Sequence, residues 1–287
     1  MVWNAEVADA GRAAPEAVDG LREVADRLAS SGGEVARRLL AELSGGGLDS
    51  RTKSSATDPV TVIDTSVEEH LREQITSLRP GDTVLGEEGG QSSPVPGQGA
   101  VRWVIDPVDG TVNLLYGIPF TAVSVAAEVD GVVVAGAVHN IVSRETWTAG
   151  LGRGAMLRHA DGEVTEPTVS SCDDPALALV GTGFAYDAGM RAEQGAVVAA
   201  LLPRVRDIRR CGSAALDLCM VASGRLDAYF ERGLAPWDHA AGALVASEAG
   251  ALVVVSTDDA VPTIAAAPGV ADRFRTTLSE SAGEVSS

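Results

Sequence analysis

The sequence predicts a layered α/β (α+β) fold built in two halves. Apolar residues recur with helical spacing over 16–43 and 65–78. Short β-branched runs read as an antiparallel meander over 120–149, and from 177 onward strands and helices alternate. The 287 residues suffice for one large domain or two joined lobes. They are read here as a frayed N-terminus over 1–15 and a single domain over 16–287, with a first half of about 16–175 and a second of about 176–287.

The first helix has a weak point at Ser30-Ser31-Gly32-Gly33. A Gly/Ser-rich loop over 44–56 holds Lys53 and runs into a β-branched stretch that ends at Asp64. In the helix over 65–78, Val67, Leu71, Ile75 and Leu78 share one face, and Glu68, Glu69, Arg72 and Glu73 lie largely off it. A short strand over 84–86 leads to Glu87-Glu88-Gly89-Gly90, and 91–100 is a Pro/Gly/Ser loop. The buried strand over 101–105 ends at Asp106, because Pro107 cannot donate to a ladder. Strands over 120–128 and 132–139 flank a Val129-Asp130-Gly131 turn, a third covers 145–149, and loops follow to about 175. The second half places strands at 177–181, 206–209, 227–231, 252–255 and 263–266, and helices at 191–202, 213–223, 237–249 and 271–279.

The formal net charge of −18 argues against nucleic acid and anionic membrane as partners. Three cysteines, Cys172, Cys211 and Cys219, show no metal-ligand spacing and fit a reducing cytoplasm. The first twenty residues are too acidic for a signal peptide, and Glu128, Asp130 and Glu248 interrupt the most apolar stretches. Four arginines over 204–210 read as a strand with salt bridges or as a dimer contact. Gly181-Thr182-Gly183-Phe184 lacks the lysine and spacing of a P-loop and reads as a strand-end turn lining a cleft.

The chemistry is concentrated in acids at strand ends and helix starts. In Asp106-Pro107-Val108-Asp109-Gly110-Thr111 two carboxylates three residues apart flank a turn, and a helix can start at Thr111 with its N–H groups toward an anion. Hard cations such as Mg²⁺ take oxygen ligands of this kind and share phosphate oxygens. The pentapeptide from Asp106 to Gly110 is also ordinary turn chemistry. Glu87-Glu88 is equally a solvated surface pair, and Asp238 and Asp64 are equally helix caps. None of the four histidines, and no cysteine, has a nucleophile's setting, which favours a metal-activated water.

Three motifs, Gly86-Glu87-Glu88, the run from Ile105 to Asn113, and Trp237-Asp238-His239-Ala240-Ala241-Gly242, stand in one order along the chain. On them the chain resembles the inositol monophosphatase family, its bacterial SuhB-type branch most closely, from about Lys53 to Ala266. Arg209 to Glu231 is similar to the family as well. The resemblance implies a five-layer α-β-α-β-α sandwich shared with the fructose bisphosphatases, Mg²⁺ dependence with two or three ions, lithium inhibition and a homodimer. It assigns Glu87, Asp106 and the Val108 carbonyl to one ion and Asp106, Asp109 and Asp238 to a second. Glu87 also serves a third, weaker ion through water.

Asp64 and Thr111 would orient and deprotonate the attacking water, with Glu88 in support and Lys53 on a loop closing over the phosphate. Gly110 and Thr111 would cradle the phosphate. Asp109, Gly212, Ser213, Ala214, Glu231 and Asp238 complete the substrate set. Val112 stands where many relatives have a second threonine, and Leu114 where they often have phenylalanine; both read as packing changes beneath the site. The implied reaction hydrolyses a small phosphorylated polyol, inositol 1-phosphate first, with Glu231 accepting from ring hydroxyls. Histidinol phosphate, fructose 1,6-bisphosphate or a nucleotide 3′-phosphate are alternative substrates. A binding or regulatory protein without turnover is the alternative of another class.

Overall fold

The computed structural model describes residues 15–45, 59–92, 101–256, 258 and 260–286. Lys53 and nearly all of the expected frayed segment lie outside them.

Helices α1 (Pro15–Gly45) and α2 (Pro59–Leu78) lie on one face of an eight-stranded sheet. Its strands are β1 (Thr83–Gly86), β2 (Gly90–Gln91), β3 (Val101–Asp109), β4 (Ala122–Val129), β5 (Val132–Asn140), β6 (Thr146–Gly150), β7 (Ala155–Arg158) and β8 (Val164–Thr165), in the order β2-β1-β3-β4-β5-β6-β7-β8. Trp103, Ile105, Val123 and Val125 face α1 and α2, while Val104, Ala122 and Ala126 face the other way. There they meet α5 (Ala214–Ala222) and α6 (Pro236–Glu248). The same two helices cover a five-stranded sheet in the order β10-β9-β11-β13-β12. Its strands are β9 (Leu179–Thr182), β10 (Asp207–Arg209), β11 (Ala228–Glu231), β12 (Leu252–Val254) and β13 (Thr263–Ala266). Helices α4 (Ala188–Leu201) and α7 (Ala271–Ser286) close its far face through Leu201, Phe274 and Leu278. The result is helix, sheet, helix, sheet, helix: five layers sharing three apolar clusters.

Several expectations are corrected. The first helix is unbroken through Ser30–Gly33, because its glycines make room for neighbours. A Cβ at Gly32 would press on Val123, Val67 and Leu71 at 3.2–3.3 Å, and one at Gly33 would strike the ring of buried His139. Helix α2 begins at Pro59, so Asp64 lies inside it and is buried rather than capping it. Glu68 is buried too, at 2% exposure. Strand β3 continues past Pro107 to Asp109 through a bulge: Asp106 faces Ser124 and Asp109 faces Ala122, one residue more than β4 supplies. A proline fits a bulge, where no ladder donor is needed. Strands β2, β7 and β8 were not expected. The β4–β5 turn was, and Asp130 and Gly131 hold φ of 51° and 82° there, as a tight hairpin of the right twist requires.

Candidate functional site

Two sets of strand ends point at one place. Strand β1 runs parallel to β3, and β9 parallel to β11. Glu87 follows β1, Asp106 and Asp109 end β3, Glu231 ends β11, and Gly183 follows β9. Ser213 caps α5, and Asp238 sits in the first turn of α6. Between them lies a cavity of about 130 Å³. Its acidic wall is Glu87, Asp106, Asp109, Glu231 and Asp238. Val108, Gly110, Thr111, Gly212, Ser213 and Ala214 border it as well, as do Phe184, Tyr186, Arg210 and Leu234.

The bulge aims the β3 carboxylates. Asp106 Oδ1 accepts from Val108 N (3.0 Å), and Thr111 Oγ1 donates to Val108 O (3.0 Å). Gly110 caps the six-residue helix α3 (Thr111–Tyr116) at φ 91°, where a Cβ would lie 2.8 Å from Phe120 O. Asn113 Nδ2 donates to Phe120 O and Cys211 O (both 2.8 Å), tying this turn to the α5 entrance. Asp109 Oδ2 accepts from Ser213 Oγ (2.6 Å) and Ala215 N (2.7 Å). Asp238 Oδ2 accepts from Ala235 N (2.7 Å), the α6 cap residue. Alanine has no side-chain oxygen to return that bond.

The turn bearing Glu87 is built around Glu68, expected on the polar side of its helix. Glu68 accepts from Glu88 N (2.9 Å), Gly89 N (2.8 Å) and Arg72 Nε (2.8 Å). A Cβ at Gly86 or Gly89 would come within 2.7 or 2.6 Å of its carboxylate. Glu88, expected to support the site, enters this arrangement through its backbone N–H. Asn113 also escaped notice, although it lies in the motif; only the fold shows its two carbonyl partners. Leu114 is buried as expected, but Val112 is 45% exposed at the cavity rim, not beneath it.

The acids are costly to ionise together. Burial, then the charges of Asp109, Glu87, Asp238 and Asp64, push the Asp106 carboxyl well above the usual range. Desolvation against the cavity wall and the Glu88 charge raise Glu87 to about 6. Burial raises Asp109 to about 6 despite its hydrogen bonds from Ser213 and Ala215. Burial and the Asp109 charge raise Asp238 to about 8. A hydrogen bond with the Asp106 carboxyl offsets part of the rise at Glu87, and two acids this close do not ionise independently. Among the described residues no three acidic, histidine or cysteine side chains form a ready-made metal cluster; the acids line the walls of the cavity instead. An all-oxygen, mutually repelling donor set suits a hard divalent cation that keeps part of its water shell.

None of the histidines borders the cavity. His139 is buried between Arg37 and Thr146, and burial pushes the Cys211 thiol up to about 12, far from a thiolate. In the arginine run, Arg204 pairs with Glu280 and Glu284, Arg209 with Asp207, and Arg210 borders the cavity. Gly183 and Phe184 line the cleft as expected of a strand-end turn. Among the described residues no helix is long and apolar enough to cross a membrane.

Comparison with known proteins agrees with the fold. The model of the inositol monophosphatase family matches residues 18–282. The inositol-1-monophosphatase of Mycobacterium leprae is 50% identical over 271 residues, 90% of this chain and 93% of that protein. The Nus factor SuhB of Vibrio cholerae is 38% identical over 203 residues, 70% of this chain and 73% of that protein. The solved structure of Mycobacterium tuberculosis SuhB has a TM-score of 0.80 at 45% identity, covering 92% of this chain and 97% of its own. With the match running through nearly every layer of the fold, the chain belongs to the inositol monophosphatase family.

Proposed function

We propose that this protein is a Mg²⁺-dependent phosphatase that hydrolyses a small phosphorylated polyol, inositol 1-phosphate being the leading candidate. The observation that carries it is the meeting of Glu87, Asp106, Asp109 and Asp238, from three separate stretches of chain, around one cavity. These four carboxylates and the Val108 carbonyl would hold two or three cations. When bound, such ions supply positive charge to the transferring phosphoryl group and acidify water.

The chain's own groups do the rest. Asp64 is buried in α2 and does not line the cavity, but its charge reaches Asp106; in this reading it takes the proton of the attacking water, and the Thr111 hydroxyl orients that water. The N–H groups of Gly110 and Thr111 border the cavity and bind phosphate oxygens. Glu88 and Glu68 hold Glu87 in place, and the family resemblance adds Lys53, outside the described residues, as a phosphate contact. Ser213, Ala214 and Glu231 meet the alcohol half, which Arg210 and Tyr186 flank at the rim. Lithium inhibition and a homodimer rest on the family resemblance, a cytoplasmic location rests on the cysteine pattern, and all three belong to the same proposal.

The test is phosphate release from a panel of esters, including inositol 1-phosphate, fructose 1,6-bisphosphate and histidinol phosphate, with and without Mg²⁺. Release from inositol 1-phosphate that needs Mg²⁺ supports the reading. Release that ignores Mg²⁺ overturns the metal assignment. The Vibrio cholerae relative named as a Nus factor favours a second reading, a binding protein without turnover; silence on every ester would support it.

A further inference from the structure

The Gly181-Thr182-Gly183 stretch has no place in the phosphate chemistry, yet its glycines face the strand that carries Glu231. In the parallel β9–β11 pair, Gly181 lies opposite Tyr229 and Thr182 opposite Phe230, so Gly183 lies beside Glu231. A Cβ at Gly181 would press on Tyr229 Cδ2 at 3.2 Å and on Leu226 Cδ1 at 2.8 Å. One at Gly183 would fall inside the Glu231 carboxylate. Neither glycine holds a positive φ, so their backbones would accept any residue. What requires glycine is the space above them. Into that space Tyr229, fully buried, directs its phenol and donates to Glu231 Oε2 at 2.5 Å.

We propose that Gly181, Gly183 and Tyr229 form a seat that locks the Glu231 carboxylate against β9 and so positions it to accept from a substrate hydroxyl. The inference rests on the phosphatase reading and deepens it. Glu231 lines the cavity, and with Oε2 occupied by the phenol, Oε1 is left to accept from one substrate hydroxyl. An acceptor already held in place loses little freedom on binding, so the hydroxyl hydrogen bond is realised nearly in full. An ester without that hydroxyl leaves Oε1 desolvated and unpaired, which discriminates against it. Gly183 and Tyr229 are positioning residues: they act on substrate through Glu231.

The test compares inositol 1-phosphate with p-nitrophenyl phosphate, which has no hydroxyl on its alcohol half. In Gly183→Ala the added methyl meets only the end of a flexible side chain, so the fold is kept and the carboxylate gives way. The KM for inositol 1-phosphate should rise about tenfold or more with kcat nearly constant, while kcat/KM for p-nitrophenyl phosphate stays within about threefold. Tyr229→Phe should show a smaller rise of the same kind, and Gly195→Ala, on exposed helix with nothing within 4 Å, should show none. In a double-mutant cycle, Gly183→Ala should add almost nothing to Glu231→Ala. Additive losses, equal losses on both esters, or an unchanged KM would overturn the seat. Absence of phosphate release from either ester by the unaltered protein would instead sink the phosphatase reading. Calorimetric binding of inositol 1-phosphate, weakened by Gly183→Ala and not by Gly195→Ala, would then still support the seat, and equal binding would overturn it.

Discussion

Replacing Glu68 tests whether the turn that bears Glu87 is built around a buried carboxylate. The side chain is 2% exposed, accepts two backbone N–H bonds at 2.8 and 2.9 Å, and pairs with Arg72 at 2.8 Å. Arg72 in turn donates to Gly90 O at 2.6 Å, so one ion pair fastens both ends of the turn. Glu68→Ala strands two amide donors and a partly buried guanidinium. Breaking a buried pair in this way costs about 3–5 kcal/mol. That is a large share of the roughly 5–15 kcal/mol by which a typical domain is stable, but it leaves a folded protein. Glu68→Gln keeps the shape and one acceptor oxygen and should lose about 1–3 kcal/mol. The neighbouring Glu69 is exposed, so Glu69→Ala should stay within about 0.5 kcal/mol. Urea unfolding measures these losses. A Mg²⁺ titration of phosphate release measures the second consequence, a cation requirement raised about 10–100-fold in Glu68→Ala, the usual effect of removing a group that orients a ligand. The reasoning is refuted if Glu68→Ala is as stable as the unaltered protein, or if it is destabilised while its Mg²⁺ dependence is unmoved.

Asp106→Asn should retain the fold, judged by circular dichroism, and lose at least about 1000-fold in kcat, since metal-supported charge stabilisation is worth several kcal/mol; normal turnover would mean the site lies elsewhere. His139 gives an acid limit to stability. Burial and the Arg37 charge lower it to about 3, so the unfolded chain protonates first and stability is lost as pH falls from about 6.5 toward about 3. The loss should reach about 2 kcal/mol by pH 5 and be absent in His139→Gln, compared by urea unfolding at pH 7 and 5. Two glycines of α1 should respond with opposite signs: Gly20→Ala, with open space around it, gains about 0.5–1 kcal/mol. Gly33→Ala, forced against the His139 ring, loses about 1–3 kcal/mol instead.

How far the sequence reaches can be judged residue by residue. Asp106 and Asp109 are legible because an apolar strand, a proline and a glycine frame them within nine residues, and the strand end and helix start are found there. The Asp130-Gly131 turn is legible for the same reason: its chemistry is local. Glu68 is not, since a charge at that helical position is usually solvated, and what buries it is a turn some twenty residues away. Pro59 to Asp64 misleads because its β-branched residues suit a strand, and contact of α2 with α1 and β3 overrides that preference.

The sequence alone determined which residues are candidates for the chemistry, the order of their motifs and most of the helix and strand pattern, because capping, turn geometry and apolar periodicity act over a few neighbours. Only the tertiary structure decided that acids as distant as Glu87 and Asp238 border one cavity, that Glu68 is a buried anchor, and that Gly183 yields its space to Glu231. Those facts depend on which strands pair, β1 with β3 and β9 with β11, and on how α2, α5 and α6 pack against the sheets, and no local spacing encodes which side chain will stand opposite which.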